Sequence, residues 1–367
     1  MTGNRLFTIA QKEFFDHIRS RKFLLIFGIL LVVAIVGMIG GISEYNKTLD
    51  QYNKGQSTIS SDIGGEMTEK PSILGVFSSV ATYLVFVGGV LGIAMGFDLV
   101  SKEKESKSLK ILLSHPVYRD EVINGKALGG IVALGCALGV VLFIALATLL
   151  VYGIIPDGNE LVLIAVFGGV SFLLIFSYFA IALFMSTTMD ESGSSLIYTI
   201  IIFIVLSVLV PTLANDTVME NVIGSQPELP QELLDQMQIS PNSTGSSTAT
   251  VVVSSPVNTG NSDAWKKYTD RMQVYSEKRQ MIHDTLALFS PTMNYEAITS
   301  SITYRTSNTE MIGRSTNSVT SFSTTKTASA GVEDILGKII ANIIALLLFP
   351  AVFFGLAYMR FMRMDVR

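Results

Sequence analysis

The segment 98–126, DLVSKEKESKSLKILLSHPVYRDEVINGK, is dense in Lys, Glu and Ser and lies between two long apolar runs. Leu109, Leu112 and Leu113 fall at i, i+3 and i+4, so the charged run ends in a short amphipathic helix. His115-Pro116 stops that helix, because the residue before a proline is pushed out of the α region. A second helix restarts near Asp120, whose side chain suits an N-cap, and continues into the next apolar run. Two readings fit these residues. One is a solvated cytoplasmic loop that orients the chain; the other is a docking helix for a cytosolic partner.

The flanking runs set the class. Charged residues make up only 15% of the 367, where about a quarter is usual in a soluble chain, and mean hydropathy is +0.49. A run of ~20 apolar residues crosses the hydrocarbon core of a bilayer. Six runs of roughly that length predict an all-α polytopic membrane protein, with spans near 23–42, 73–97, 128–154, 161–185, 196–213 and 336–358. The first run exceeds the apolar core of a signal peptide and reads as an uncleaved anchor. Gly88, Gly92 and Gly96, and again Gly135 and Gly139, recur at spacing four, which lets helix backbones approach closely in lipid. Pro350 predicts a kink in the last span. Cys136, the single cysteine, excludes a disulfide framework and reads as a small buried hydrophobe.

Ahead of the first span, residues 4–22 form an amphipathic helix. Leu6, Phe7, Ala10, Phe14, Phe15 and Ile18 share one half of the wheel, with Ile9 the exception on the polar side. Such a helix lies in the membrane interface. Lys and Arg crowd this flank (Arg5, Lys12, Arg19, Arg21, Lys22), the 98–126 loop and the tail (Arg360, Arg363, Arg367), while the turn at Pro156 has none. Both termini are therefore expected in the cytoplasm of a multi-pass plasma-membrane protein, which an even number of spans satisfies. The glycosylation sequons at Asn46, Asn215 and Asn242 all fall in segments placed outside by this rule.

The domain plan that follows has an interfacial helix at 1–22 and spans one to five at 23–213. An external domain occupies 214–334, and the sixth span with a basic tail 335–367. The external part is too long for a connector. Residues 227–238 suit a short helix, 242–263 a flexible linker, and 300–329 a mobile Ser/Thr-rich tract. Residues 263–289 carry Trp265, Tyr268, Met272, Tyr275, Ile282, Leu286 and Phe289 at 3-4-3 spacing, a helix with one packing stripe. That stripe is able to meet its like in a second subunit. Ser290-Pro291 then opens another helix, with Ser as N-cap and Pro in the first position.

Glu103-Lys104-Glu105, Lys107-Ser108-Leu109, Leu112-Leu113, Pro116-Val117, Arg119, Glu121 and Gly125-Lys126 together resemble the cytosolic loop of ABC-2 type permeases. These are membrane subunits of ABC transporters, including the nitrous-oxide-reductase maturation and sodium-export groups. The chain departs from the family pattern at Lys107-Ser108, where Gly-Thr is usual. The 4–22 helix resembles the family's elbow helix, and the Ser-Pro element resembles its short outer helix. The resemblance implies a coupling helix that docks on a separate cytosolic P-loop ATPase. Glu103, Glu105, Leu109, Leu112, Leu113 and Arg119 would make that contact. It also implies a second permease subunit and an exporter.

The chain carries no G-x-x-x-x-G-K-[ST], so ATP binds to the partner, and neither an enzyme nor a cofactor of its own is expected. No charged residue lies mid-span, which argues against ion-coupled carriage. His17, His115 and His283 are scattered and do not suggest a metal site. A net charge of −4 gives no support for nucleic-acid binding. The competing class is a membrane-anchored structural or signalling protein whose external domain 214–334 is the working part.

Overall fold

The computed structural model describes residues 3–59, 71–108, 118–228, 263–303 and 332–364, and its secondary structure there is helical throughout. Six helical stretches among the described residues are long and apolar enough to cross a membrane. The chain divides into two compact units. One contains Met1–Leu209, Ala287–Ser307 and Ala328–Arg367; the other contains Val210–Leu286 and Asn308–Thr327.

Several spans outrun the limits set by their apolar runs. Span one is a helix from Arg21 to Ile59, continuing past the end of its apolar run at Ile42. Nothing between 43 and 54 breaks a helix. The Thr48 hydroxyl donates to the Glu44 carbonyl at 3.0 Å, and Lys47 pairs with Glu44 at 3.7 Å. Span three starts at Arg119 and ends at Val151. Its N-cap position is Tyr118, and Asp120, expected as the cap, sits instead in the first turn beside Glu121. Acidic residues are favoured there by the helix dipole. Span four, Gly158–Thr188, opens with a capping box between Asp157 and Glu160, so the polar turn at Pro156 supplies the start signal. Span five runs from Ser192 to Leu213 and span six from Val332 to Met362, with Pro350 inside it.

Span two is assembled from pieces. A 3-10 turn at Ile73–Val76 leads into helix Phe77–Tyr83, a π turn at Leu84–Gly88, and helix Gly89–Gly96. A turn follows, then the short helix Ser101–Glu105. The expected glycine stripe packs as predicted. A Cβ on Gly92 would lie 2.5 Å from the Ile175 carbonyl oxygen, and one on Gly96 would lie 2.7 Å from that of Phe179. Spans two and four therefore touch backbone to backbone, and they are the most buried of the six.

Span three behaves differently. Gly139 faces open space and Gly135 meets only the Phe172 ring. Close approach occurs instead at Gly125 and Gly129, where the N-terminal helix Gly3–Arg19 lies against the span. A Cβ on Gly129 would come within 2.8 Å of the Ala10 carbonyl oxygen. Ile9, the exception on the helical wheel, is the side chain that meets Gly125, and it belongs to the packed face. Phe7 and Phe15 stay exposed on the other side. Cys136, expected as a small buried hydrophobe, is exposed instead.

The helix Pro291–Thr303 is buried over most of its surface despite its polar content. Ser290 caps it as predicted, its Oγ accepting from the Met293 N–H at 3.2 Å. The same hydroxyl donates to the Leu206 carbonyl in the π turn Val205–Leu209 of span five, at 2.7 Å. The Tyr178 hydroxyl meets Ser207 Oγ at 2.5 Å and Thr292 Oγ1 at 2.7 Å, and Tyr295 meets Ser171 at 3.1 Å. Each buried hydroxyl thus finds a partner, as an apolar surrounding demands.

In the second unit, the expected helix runs Asp263–Ala287, and Phe289, the last residue of the expected stripe, falls beyond its end and is exposed. Tyr268, Met272, Tyr275, Ile282 and Leu286 are half-buried, while Val274 and Met281 stay exposed. A shorter helix, Asp216–Ile223, precedes it with Asn215 in the N-cap position. The Trp265 side chain, most of the expected 227–238 helix, Asn242 and the 304–329 tract lie outside the described residues.

Candidate functional site

Both stems of the 98–126 loop are described, whereas residues 109–117, with Leu109, Leu112 and Leu113, are not. The first stem begins where span two unwinds after Gly96. Unwinding frees the N–H groups of Val100 and Ser101, and Ser186 near the end of span four accepts both, at 2.9 and 3.0 Å. The freed Phe97 carbonyl accepts from Ser101 Oγ at 2.9 Å and from Ser195 Oγ of span five at 2.8 Å. The Ser101–Glu105 helix is thereby pinned at its start.

Its charged residues then reach outward in different directions. Glu103 accepts from Lys126 Nζ at 2.7 Å, and the same ammonium donates to Glu13 of the N-terminal helix at 2.8 Å. The Lys126 side chain is only 4% exposed, so this triad ties the N-terminal helix, span two and span three in a largely dry setting. Lys104 Nζ donates to the Thr187 and Met189 carbonyls at 2.7 and 3.0 Å, the end of span four. Glu105 accepts from the Ser192 N–H at 3.2 Å and from its hydroxyl at 2.7 Å, the start of span five. Asp98 binds Lys22 at 2.7 Å, at the start of span one, and that ammonium also lies 4.6 Å from the centre of the Phe97 ring. On the second stem, Arg119 donates to the Met364 carbonyl at 2.7 Å, just beyond span six.

One end of all six spans therefore converges on the two stems. Some buried polar atoms at this end lack a hydrogen-bond partner among the described residues. They are His17 Nε2, Glu103 Oε2 and both carboxylate oxygens of Glu121. Burial pushes the His17 imidazole below its usual pKa of 6.5, against the opposing pull of Glu13 and Asp98.

Of the residues singled out in the sequence, Glu103, Glu105 and Arg119 are all at the stems, each already bonded within the chain. Asn46 is exposed on the helical extension of span one, and Asn215 is exposed as well. Lys104 and Lys126 entered only as part of the resembling loop pattern, without a contact of their own, and Glu13, Ser186 and Ser192 were not singled out. Lys126 offered one signal, a lone cation immediately ahead of an apolar run. Its partners, 113 and 23 residues away, offered none. No group of three or more His, Cys, Asp or Glu able to hold a metal occurs among the described residues.

Residues 7–366 match the family model described as ABC-2 family transporter protein. Among curated proteins, the chain is 26% identical over 193 residues to the probable ABC transporter permease protein NosY of Pseudomonas aeruginosa, covering 52% of this chain and 62% of the relative. It is likewise 26% identical over 198 residues to the protein of the same name from Stutzerimonas stutzeri, covering 52% and 63%. The alignments thus span about half of this chain and less than two thirds of each relative.

Proposed function

Because the chain belongs to the ABC-2 transporter family, we propose that it is the permease subunit of an ATP-driven transporter, worked by a separate P-loop ATPase. The convergence of six span ends on the stems of loop 98–126 is the observation that carries this reading. A force applied to that loop reaches every span through bonds already in place. The relatives named as ABC transporter permeases support the same assignment.

In this reading the charged end faces the cytoplasm, in keeping with its Lys and Arg content. Leu109, Leu112 and Leu113 supply the buried area of the docking contact. Glu103, Glu105 and Arg119 hold the stems that carry those leucines. ATP binds to the partner. Two permease subunits enclose the pathway, their spans rock outward as the ATPases close, and export is the direction.

The test is co-purification from detergent-solubilised membranes, comparing the wild type with Glu103→Arg and Leu112→Asp. A P-loop ATPase should accompany the wild type, and both folded variants should release it. A folded wild type that recovers no ATPase overturns the reading. It would favour a membrane anchor whose external domain does the work.

A further inference from the structure

The Ser101–Glu105 helix and the link between spans four and five cap one another. Met189, Asp190 and Glu191 separate the last residue of span four, Thr188, from the first of span five, Ser192. A helix ends with unpaired carbonyls carrying partial negative charge and begins with unpaired N–H groups carrying partial positive charge. Lys104 supplies an ammonium to the first set, at Thr187 and Met189. Glu105 supplies a carboxylate to the second, at Ser192. Adjacent residues on one short helix therefore cap both ends of a helical hairpin more than 80 residues away in sequence, each with the sign its dipole favours. The exchange is mutual, since Ser186 of span four accepts from the Val100 and Ser101 N–H groups that begin the short helix.

We infer that Lys104 and Glu105 are positioning residues that transmit movement of the docking loop to spans four and five, an inference that rests on the permease reading above. The short helix and the 189–191 link form one closed ring of caps. Lengthening any bond in that ring strands a helix-terminal group, so displacement of the stem carries the hairpin with it. The ATPase need not touch spans four and five to move them. Binding of the ATPase and its stimulation by the permease consequently depend on different residues, the loop leucines for the first and the Lys104-Glu105 pair for the second.

The experiment uses the permease–ATPase complex purified from membranes and reconstituted in lipid. ATPase affinity and permease-dependent stimulation of ATP hydrolysis are both measured. Lys104→Met and Ser192→Ala should each keep affinity within about twofold of wild type while stimulation falls about tenfold, and Glu105→Gln should lose stimulation to the same extent when measured at saturating ATPase. Lys104→Arg, which preserves a charged donor, should recover most of the stimulation. Ser192→Ala removes only a hydroxyl and keeps the comparison open if Lys104→Met fails to assemble. Wild-type stimulation in folded Glu105→Gln and Ser192→Ala complexes overturns the inference while leaving the docking reading intact. Loss of ATPase affinity in Lys104→Met or Ser192→Ala also overturns it, by making this ring of caps part of the docking contact. A wild type that binds no ATPase sinks the underlying reading instead.

Discussion

Lys126 is the residue on which the charged end depends most. Its ammonium serves two carboxylates, from Glu13 and Glu103, in a nearly dry site. Removing one partner of a buried ion pair leaves uncompensated charge and costs about 3–5 kcal/mol. Lys126→Met should therefore lower the thermal unfolding midpoint in detergent sharply. The triple change Glu13→Gln, Glu103→Gln, Lys126→Met, which removes the stranded charges together, should recover much of the loss. A second prediction concerns His17, which faces Glu13, Asp16, Asp98 and Lys126. Burial holds its folded pKa below the usual 6.5, so the folded state binds fewer protons than the unfolded chain. The stability tied to neutral His17 is fully present above pH 6.5. It is lost as the pH falls from there through the folded pKa. Unfolding midpoints of wild type and His17→Gln, compared between pH 7.5 and 5.5, should converge on acidification. Parallel curves would show that His17 does not couple to folding.

At the scale of the element, two glycine pairs that look alike in sequence behave in opposite ways. Gly92 and Gly96 meet the backbone of span four, whereas Gly139 meets nothing. Gly92→Ala forces a methyl against a carbonyl that has nowhere to move and should destabilise by about 1–3 kcal/mol. Gly139→Ala should be neutral or slightly stabilising, because alanine is the better helix former. Unfolding midpoints of the two variants decide this, and equal effects would contradict the packing. The sequence marks where a helix can approach another but not which neighbour arrives, since the small-residue signal carries no identity. The same limit explains Ile9. Its place on the polar half of the wheel follows from the periodicity, yet the partner face contains Gly125 and admits a branched side chain. Span ends were blurred for a related reason. Helices such as Arg21–Ile59 continue as long as nothing breaks them, and apolarity sets only the part that lies in lipid. The Ser290-Pro291 start and the Asp263–Ala287 helix were legible because their signals are local.

At the scale of the whole molecule, the membrane class and six spans follow from composition and run length, properties that no tertiary contact can override. The wiring of the charged end was not legible. Glu13 finds Lys126 across 113 positions, and Arg119 finds Met364 across 245. Such pairs depend on the order in which helices pack. Charge in the short loops predicts the orientation, and this is open to direct labelling in intact cells. With Cys136 replaced by Ala, a cysteine at Asn46 or Gln226 should react with a membrane-impermeant maleimide. One at Lys12 or Met364 should react only after permeabilisation. The reverse pattern would invert the topology and remove the loop from reach of any cytosolic partner.

The central claim, that loop 98–126 is where an ATPase takes hold, is tested most directly by placing a photo-crosslinking amino acid at Leu112 in living cells. A matched control carries the same group at Ile155, beside the turn at the opposite end of the spans. Ultraviolet irradiation should join the Leu112 derivative to a P-loop ATPase and leave the Ile155 derivative without one. An ATPase captured at Ile155 instead, or none captured at Leu112 in a folded, membrane-inserted permease, would contradict the claim.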